Sequence, residues 1–287
     1  MKNFYVMTNT EKDPGFEKTK AIKQFLELRG KRCLYEGMER TCVKADCEEQ
    51  AENIPPDTDC VLVLGGDGTL IQAAGRLAKS NIPLIGINLG TLGYLAEVEK
   101  EHIFPMLEHL ISGEYEIEER MMLSGTPFIN GKKAAKYSAL NDIVITRSGT
   151  LRIVSIRIFV NGKQLNTYEA DGVIVSTPTG STAYNLSAGG PIVEPEAKVI
   201  LITPICPHTL ITRAIVLSAE DDIRIEIGSR RRQEQDTTEV SFDGVSACFL
   251  KSGEYIDIKK AREVTRIIKM SKESFLDVLS RKMSEVR

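Results

Sequence analysis

The stretch that most constrains this chain is Asp59-Cys-Val-Leu-Val-Leu-Gly-Gly-Asp-Gly-Thr-Leu70. Val61 to Leu64 is a short, unbroken apolar run with two β-branched members, the pattern of a strand buried on both faces of a parallel sheet. It stops at Gly65-Gly66-Asp67-Gly68-Thr69, and apolar residues then recur at helical spacing through Leu70, Ala73, Ala74 and Leu77. The glycines therefore fall in a strand-to-helix turn at the carboxyl edge of a sheet, where open α/β sheets place their ligands.

Glycines at 65, 66 and 68 let the backbone approach a ligand closely, and the unpaired amides that open the next helix suit phosphate oxygens. An acid among them needs a reason, because phosphates repel a carboxylate unless a metal ion or an abstractable proton is present. Asp67 accordingly reads as a metal contact or as the general base of a phosphoryl transfer. The competing reading makes it a helix N-cap and nothing more.

A chain of 287 residues makes one large or two medium domains, and 27% charged with 42% apolar residues is ordinary globular usage. A net charge of -3 gives no basic footprint, so nucleic acid is not an expected partner. The first residues hold too short an apolar run for a signal peptide and no segment approaches a membrane span, which predicts a cytoplasmic protein with no membrane partner. Cysteines 33, 42, 47, 60, 206 and 248 form no C-x-x-C pair, and histidines 102, 109 and 208 do not cluster with them. That spacing predicts reduced thiols and no zinc or other protein-held metal site; Cys33, Cys42 and Cys47 read as plain small side chains.

Along the chain, Phe4 to Thr8 reads as a first strand. Asp13-Pro14 offers an N-cap for a helix that Arg29-Gly30 closes, and Lys31 to Tyr35 reads as a second strand. Residues 37–58 are polar and irregular, and Pro55-Pro56 ends any helix before the next strand. Pro83 to Ile87 repeats the buried-strand pattern and runs into Asn88-Leu-Gly-Thr-Leu-Gly-Tyr-Leu95, a second glycine-bearing loop expected beside the first; Glu101 to Ile111 reads as a helix. This alternation predicts a doubly wound α/β domain over 1–119.

From about residue 120 the punctuation changes. Asn130-Gly131 and Asn161-Gly162 are hairpin signals, and Ile223, Ile225 and Ile227 alternate with charged residues, as do Ile256 and Ile258. The pattern predicts a mostly antiparallel β domain over 120–265. Residues 266–287 are expected to return to the first domain, with Phe275, Leu276, Leu279 and Met283 packing one helical face against it.

Within the β domain, Tyr168 to Pro191 does not read as β structure beyond the run Val173 to Val175: it packs hydroxyls, glycines and Tyr184 into a dozen residues. It buries little apolar area, so its order must rest on turn hydrogen bonds or on a ligand. Together with Gly65-Gly-Asp-Gly-Thr69 this segment closely resembles the NAD kinases, bacterial type. The resemblance extends through Asn88-Leu-Gly-Thr-Leu-Gly-Tyr94, Asn141-Asp142, Asp171-Gly172, Thr177-Pro-Thr-Gly-Ser-Thr-Ala-Tyr184, Gly189-Gly-Pro191 and Pro204-Ile-Cys-Pro-His-Thr-Leu210, in order over residues 60–210.

The resemblance implies phosphorylation of the adenosine-ribose 2′-hydroxyl of NAD by ATP and Mg²⁺, giving NADP and ADP. Asp67 matches the family's proton acceptor, with Gly68 beside it in the NAD contact, and Gly65, Gly66 and Thr69 with Gly68 are expected to receive the ATP phosphates. Asn141 and Asp142 match a pair that holds adenine and ribose. Thr182, Ala183, Tyr184, Asn185, Leu186 and Ser187 match a cradle for the dinucleotide, and Tyr94 and Thr179 fall inside matched blocks. Asp171 matches a position near the nicotinamide end, and Arg152 one that binds ligand or a neighbouring subunit.

Two departures limit the transfer. Glu169 stands where several members carry a basic residue, so no charge contact is carried over there, and Gly244 replaces a polar residue. His208, between prolines, reads as structural. The resemblance implies a homo-oligomer and leaves polyphosphate open as an alternative donor. The rivals are a lipid kinase of the diacylglycerol type, which shares the Gly-Gly-Asp-Gly-Thr loop, and a non-catalytic dinucleotide sensor.

Overall fold

The computed structural model describes residues 1–38, 54–90, 93–96, 98–149, 153–209, 213–228, 237–270 and 273–285. The chain divides into two compact units, Met1–Arg120 with Thr265–Arg287, and Met121–Val264.

The first unit opens with β1 (Asn3–Asn9), α1 (Glu17–Glu27), β2 (Arg32–Met38), β3 (Cys60–Gly65), α2 (Asp67–Leu77), β4 (Leu84–Asn88), β5 (Val98–Glu99) and α3 (Ile103–Ser112). Its strands lie in the order β2-β1-β3-β4, all parallel, with β5 beyond β4. On one face Val6, Leu62, Leu64, Ile85 and Ile87 bury against Ile22 and Leu26 of α1 and Leu107 and Leu110 of α3. The opposite parity, Met7, Val61 and Val63, is also buried, as are Leu70, Ala73, Ala74 and Leu77 of α2. Buried strands that carry apolar residues at every position, rather than every second one, are what a sheet covered on both faces requires. Because β1 lies between β2 and β3, the chain reverses its direction of growth across the sheet between β1 and β3, which makes their carboxyl ends the topological switch point.

Helix α1 starts later than Asp13-Pro14 predicts. Gly15 and Phe16 take positive φ of 136° and 57°, so residues 13–16 form a turn and helical backbone begins only at Glu17. Asp13 still works as a cap from outside the helix. Its carboxylate accepts the Lys18 and Thr19 amides at 3.2 and 3.0 Å and the Thr19 hydroxyl at 2.9 Å. Pro105 is tolerated in α3 because it sits in the first turn, where no amide is required.

The chain enters the second unit along β6 (Glu116–Ile129) and continues through β7 (Lys132–Lys133), β8 (Tyr137–Ala139), β9 (Asp142–Arg147), β10 (Val154–Val160), β11 (Lys163–Ala170), β12 (Gly172–Ser176), the short helix α4 (Tyr184–Ser187), β13 (Val199–Ile205), β14 (Ile215–Ser218), β15 (Ile223–Ile227), β16 (Thr237–Phe242) and β17 (Val245–Lys251). Strand β18 (Tyr255–Lys269) leads out, and α5 (Phe275–Glu285) follows it in the first unit.

One sheet of this unit runs β14-β13-β12-β9-β16-β17 and is antiparallel throughout. Its Ile143, Ile145, Val173, Val175, Val240 and Phe242 share a core with Ile156, Ile158, Ile223, Ile225, Ile256 and Ile258 of a second sheet. Both Asn-Gly pairs make their hairpins, with φ of 50° and 71° at 130–131 and 50° and 77° at 161–162, the left-handed pair a tight two-residue turn demands.

Helix α5 is opened by a reciprocal cap, the Asp277 amide donating to Ser274 Oγ at 3.2 Å and the Ser274 amide to Asp277 Oδ2 at 2.9 Å. Its apolar stripe is only partly covered: Phe275 and Leu279 are half-buried, whereas Leu276 and Met283 are 70% and 67% exposed. Among the described residues no helix is long and apolar enough to cross a membrane.

Candidate active site

In the first unit three loops meet at the switch point. After β3 only Gly66 precedes α2, which begins at Asp67, so the amides of Asp67 and Gly68, in the first turn of the glycine motif, have no carbonyl to bond within the helix. The loop after β4 runs beside it, the Leu89 amide donating to the Gly65 carbonyl at 2.9 Å. The turn after β1 is built on Asn9, which is 8% exposed and whose Oδ1 accepts the Glu11 and Lys12 amides at 3.0 and 3.1 Å. Asn9 Nδ2 donates to Thr69 Oγ1 at 3.3 Å, tying that turn to the glycine loop. Thr69 is buried and its hydroxyl turns inward to Asn9; a Cβ on Gly65 would meet that hydroxyl at 2.2 Å. The expected phosphate contact of Thr69 is thus not a solvent-facing side chain, and Gly65 is glycine because Thr69 fills its place.

Asp67 is not the cap of its own helix: Gly66 holds that position without a side-chain hydrogen bond. Its carboxylate reaches the second glycine loop instead. Oδ2 accepts the Tyr94 amide at 2.7 Å, and Oδ1 accepts the Leu95 and Ala96 amides at 3.2 and 3.0 Å. The approach is so close that a Cβ on Gly93 would lie 2.0 Å from Oδ1. Tyr94 contributes its backbone to this arrangement, which ties the acid to the neighbouring loop and fixes its direction.

In the second unit Asn141 and Asp142 are held by Asp243, a residue the sequence pattern did not single out. Its carboxylate accepts the amides of Leu140 at 2.8 Å, Asn141 at 2.8 Å and Asp142 at 3.2 Å, and its own amide donates to the Asp142 carbonyl at 3.0 Å. From the other side the Thr177 amide and the Ser176 hydroxyl donate to the Asn141 carbonyl at 2.8 and 3.2 Å, and the Thr177 hydroxyl to the Leu140 carbonyl at 2.6 Å. So fixed, Asn141 is 8% exposed and its side-chain oxygen has no hydrogen-bond partner among the described residues. The same is true of Thr179 Oγ1, in a residue 7% exposed. Buried polar atoms without partners cost free energy unless something else satisfies them, and both lie in segments where the sequence predicts dinucleotide contacts.

The segment from Thr177 to Gly190 is a 3₁₀ turn over Thr179–Thr182 followed by α4, and its order comes from internal hydrogen bonds. Asn185 is the centre of these. It is fully buried, its Nδ2 donates to the Ser181 and Pro191 carbonyls at 3.0 Å each, and its Oδ1 accepts the Thr203 hydroxyl at 2.7 Å. The side chain of Asn185 is thus engaged inside the protein and fixes the turn, which leaves its backbone as the part that can take the dinucleotide contact expected of it. Around it Thr182 and Ala183 are half-buried, and Tyr184, Leu186 and Ser187 are exposed.

Asp171 pairs with Arg147, Nε to Oδ1 at 2.9 Å, in the same unit. Arg152 lies outside the described residues, as do Cys42 and Cys47. Among the described residues no group of three or more His, Cys, Asp and Glu is placed to hold a metal. Cys33 is pushed up to about 12 and Cys248 to about 11 by burial, so neither is a nucleophile at neutral pH.

A doubly wound unit whose switch point carries an acid on a glycine loop, in one chain with a β-sandwich, has the parts of a two-domain phosphotransferase, and the comparisons with known proteins give that class. The ATP-NAD kinase N-terminal domain family matches residues 15–115 and the ATP-NAD kinase C-terminal domain family residues 140–270. The chain belongs to the NAD kinase family. It is 44% identical to the NAD kinase of Lachnospira eligens over 99% of this chain and 100% of that protein, and 47% identical to that of Agathobacter rectalis over 99% of each. Among solved structures, yeast NADH kinase complexed with NADH shares the fold with a TM-score of 0.82 at 24% identity, over 99% of this chain and 88% of that one. An NAD kinase from Archaeoglobus fulgidus in complex with ATP does so with 0.75 at 23% identity, over 98% and 99%.

Proposed function

We propose that the chain transfers the γ-phosphoryl group of ATP to the adenosine-ribose 2′-hydroxyl of NAD, with Asp67 as the residue that accepts or orients the hydroxyl proton. A hydroxyl is a weak nucleophile at neutral pH, and phosphoryl transfer depends chiefly on positioning and charge neutralisation. Asp67 supplies a carboxylate of fixed direction. Gly65, Gly66, Gly68 and the amides that open α2 receive the phosphates, and Thr69 serves through its backbone position. Asn141 and Asp142 hold adenine and ribose, the unpaired Asn141 oxygen matching the exocyclic amine of a purine. Thr179, Thr182, Ala183, Tyr184, Leu186 and Ser187 line the rest of the dinucleotide, Asp171 sits toward the nicotinamide, and Tyr94 holds the acid in place.

Mg²⁺ enters with ATP. A cation held through the phosphate oxygens of the donor would fit at the glycine loop, where α2 opens with free amides and the Asp67 carboxylate. When bound it neutralises charge on the triphosphate.

The observation that carries this reading is Asp67 at the opening of α2, directed by three backbone amides. A coupled assay of NADP formation tests it, with ATP or polyphosphate as donor and NAD, NADH or diacylglycerol as acceptor. NADP formed from ATP and NAD, with no lipid phosphorylated, is the expected result; ADP release with diacylglycerol alone would replace this reading with the lipid kinase. We also read the protein as a homo-oligomer, on the uncovered Leu276 and Met283 of α5, and light scattering on the purified chain measures that; a cytoplasmic location rests on the cysteine spacing alone.

A further inference from the structure

Lys12 follows β1 and has no place in the glycine motif. Its Nζ nonetheless donates to the Gly65 carbonyl at 3.3 Å. A Cβ built on Gly66 would lie 2.9 Å from that Nζ, and one built on Gly90 3.5 Å from it. The ammonium therefore stands where the loops after β1, β3 and β4 converge, at the switch point, beside the unpaired amides of α2. Beside it Asn88, the register partner of Gly65, is 2% exposed. Its Oδ1 accepts the Gly90 amide at 2.8 Å, and its Nδ2 has no hydrogen-bond partner among the described residues. A cation and a buried, unused donor at one loop junction are complementary to an anion with several acceptor oxygens.

We propose that Lys12 binds the polyphosphate chain of the phosphoryl donor and that the amide of Asn88 supports the same chain; this rests on the reading of the glycine loop as the donor's phosphate site. In the transfer, the bond from the 2′-oxygen to the γ-phosphorus forms as the bridging bond to the β-phosphate breaks. The electron pair leaves with ADP, and the hydroxyl proton passes to Asp67. Negative charge grows on the departing phosphate, and a lysine there is the point charge that meets it. Lys12 is placed for this by structure rather than by motif. Asn9 sets its turn from one side and joins the glycine loop through Thr69 on the other, so the lysine and the loop keep a constant relation.

The test compares the full-length enzyme with Lys12→Met and Lys12→Arg, reading kcat, the KM of ATP, the KM of NAD and inhibition by inorganic triphosphate. Lys12 is exposed, so its replacement should leave the melting temperature within about 2 °C of the parent. The expected result for Lys12→Met is a KM for ATP raised at least about tenfold, a lower kcat, triphosphate inhibition weakened to match, and a KM for NAD within about twofold, with Lys12→Arg recovering part of the loss. ATP and triphosphate values within about twofold of the parent, or equal losses toward ATP and NAD, would overturn the proposal. Gly68→Val separates this from the loop reading, because a side chain there enters open space and obstructs only a ligand. Impaired ATP use in Gly68→Val with an unaffected Lys12→Met removes Lys12 alone. Normal ATP use in both variants removes the loop reading with it.

Discussion

Asp67 accepts the backbone amide of Tyr94 at 2.7 Å, and through that bond the acid of one glycine loop is held by the backbone of the next. The Leu95 and Ala96 amides complete the hold. A carboxylate at the start of a helix ordinarily turns back to cap it; here the adjacent strand's loop competes and wins with its successive donors. The consequence is a carboxylate whose direction is set by main chain, which no substitution at 94–96 other than proline removes.

Gly93→Ala is therefore expected to damage activity more than stability. Its Cβ would fall 2.0 Å from Asp67 Oδ1, so the carboxylate or the loop must move. Turnover should drop by about 10²-fold, as displacement of a positioned group does, for about 1–3 kcal/mol of stability. Steady-state kinetics beside a denaturant titration measure both.

Asp243→Ala should loosen the Asn141-Asp142 pair without touching either. It removes the acceptor of the Leu140, Asn141 and Asp142 amides, at a cost of about 2–3 kcal/mol for lost hydrogen bonds to a charge, and raises the KM of NAD more than that of ATP. Equal changes in the two KM values would remove the pair from the dinucleotide.

Asp13 predicts an acid-sensitive step. Burial raises its carboxyl, and the hydrogen bonds from the Thr19 amide and hydroxyl and the Lys18 amide outweigh that and hold it below the ordinary value. Since the unfolded chain takes up this proton first, the stabilisation is complete above the unfolded value of about 3.9 and is lost as pH falls through the folded one. Asp13→Asn should cost about 1–2 kcal/mol at pH 7, a difference that narrows in denaturant titrations below about pH 4.

How much of this was readable beforehand follows from range in the chain. The glycine turn, the two Asn-Gly hairpins and the alternation of isoleucines in β15 and β18 are local patterns, and each folds as its neighbours dictate. The clamp from Asp243 acts across 101 to 103 residues and has no local signature. Lys12 is meaningful only once β1 lies beside β3; a lysine shortly after the first strand of a doubly wound sheet was the available signal. Asn185 shows the converse. Its place in a family-like block suggested a ligand contact, and what that block did not announce is that its side chain is buried and hydrogen-bonded as a brace of the turn. Helix α1 began late because Gly15 and Phe16 adopt left-handed backbone that Asp13-Pro14 alone does not announce.

The burial of the thiols gives a further check. Cys33, pushed up to about 12 by burial, with the nearby charges of Lys23 and Glu27 as smaller influences, should resist a thiol reagent at pH 8 until the protein unfolds, while exposed Cys206 is modified before it. Peptide mass spectrometry after timed labelling resolves the order.

If Asp67 handles the proton of the attacking hydroxyl, the kinetics of Asp67→Asn, with NAD binding and melting temperature measured on the same preparation, show it. The expected variant is a folded protein that binds NAD within about threefold of the parent and has lost about 10²- to 10⁴-fold in kcat, the contribution of a positioned general base. A kcat near that of the parent would contradict it.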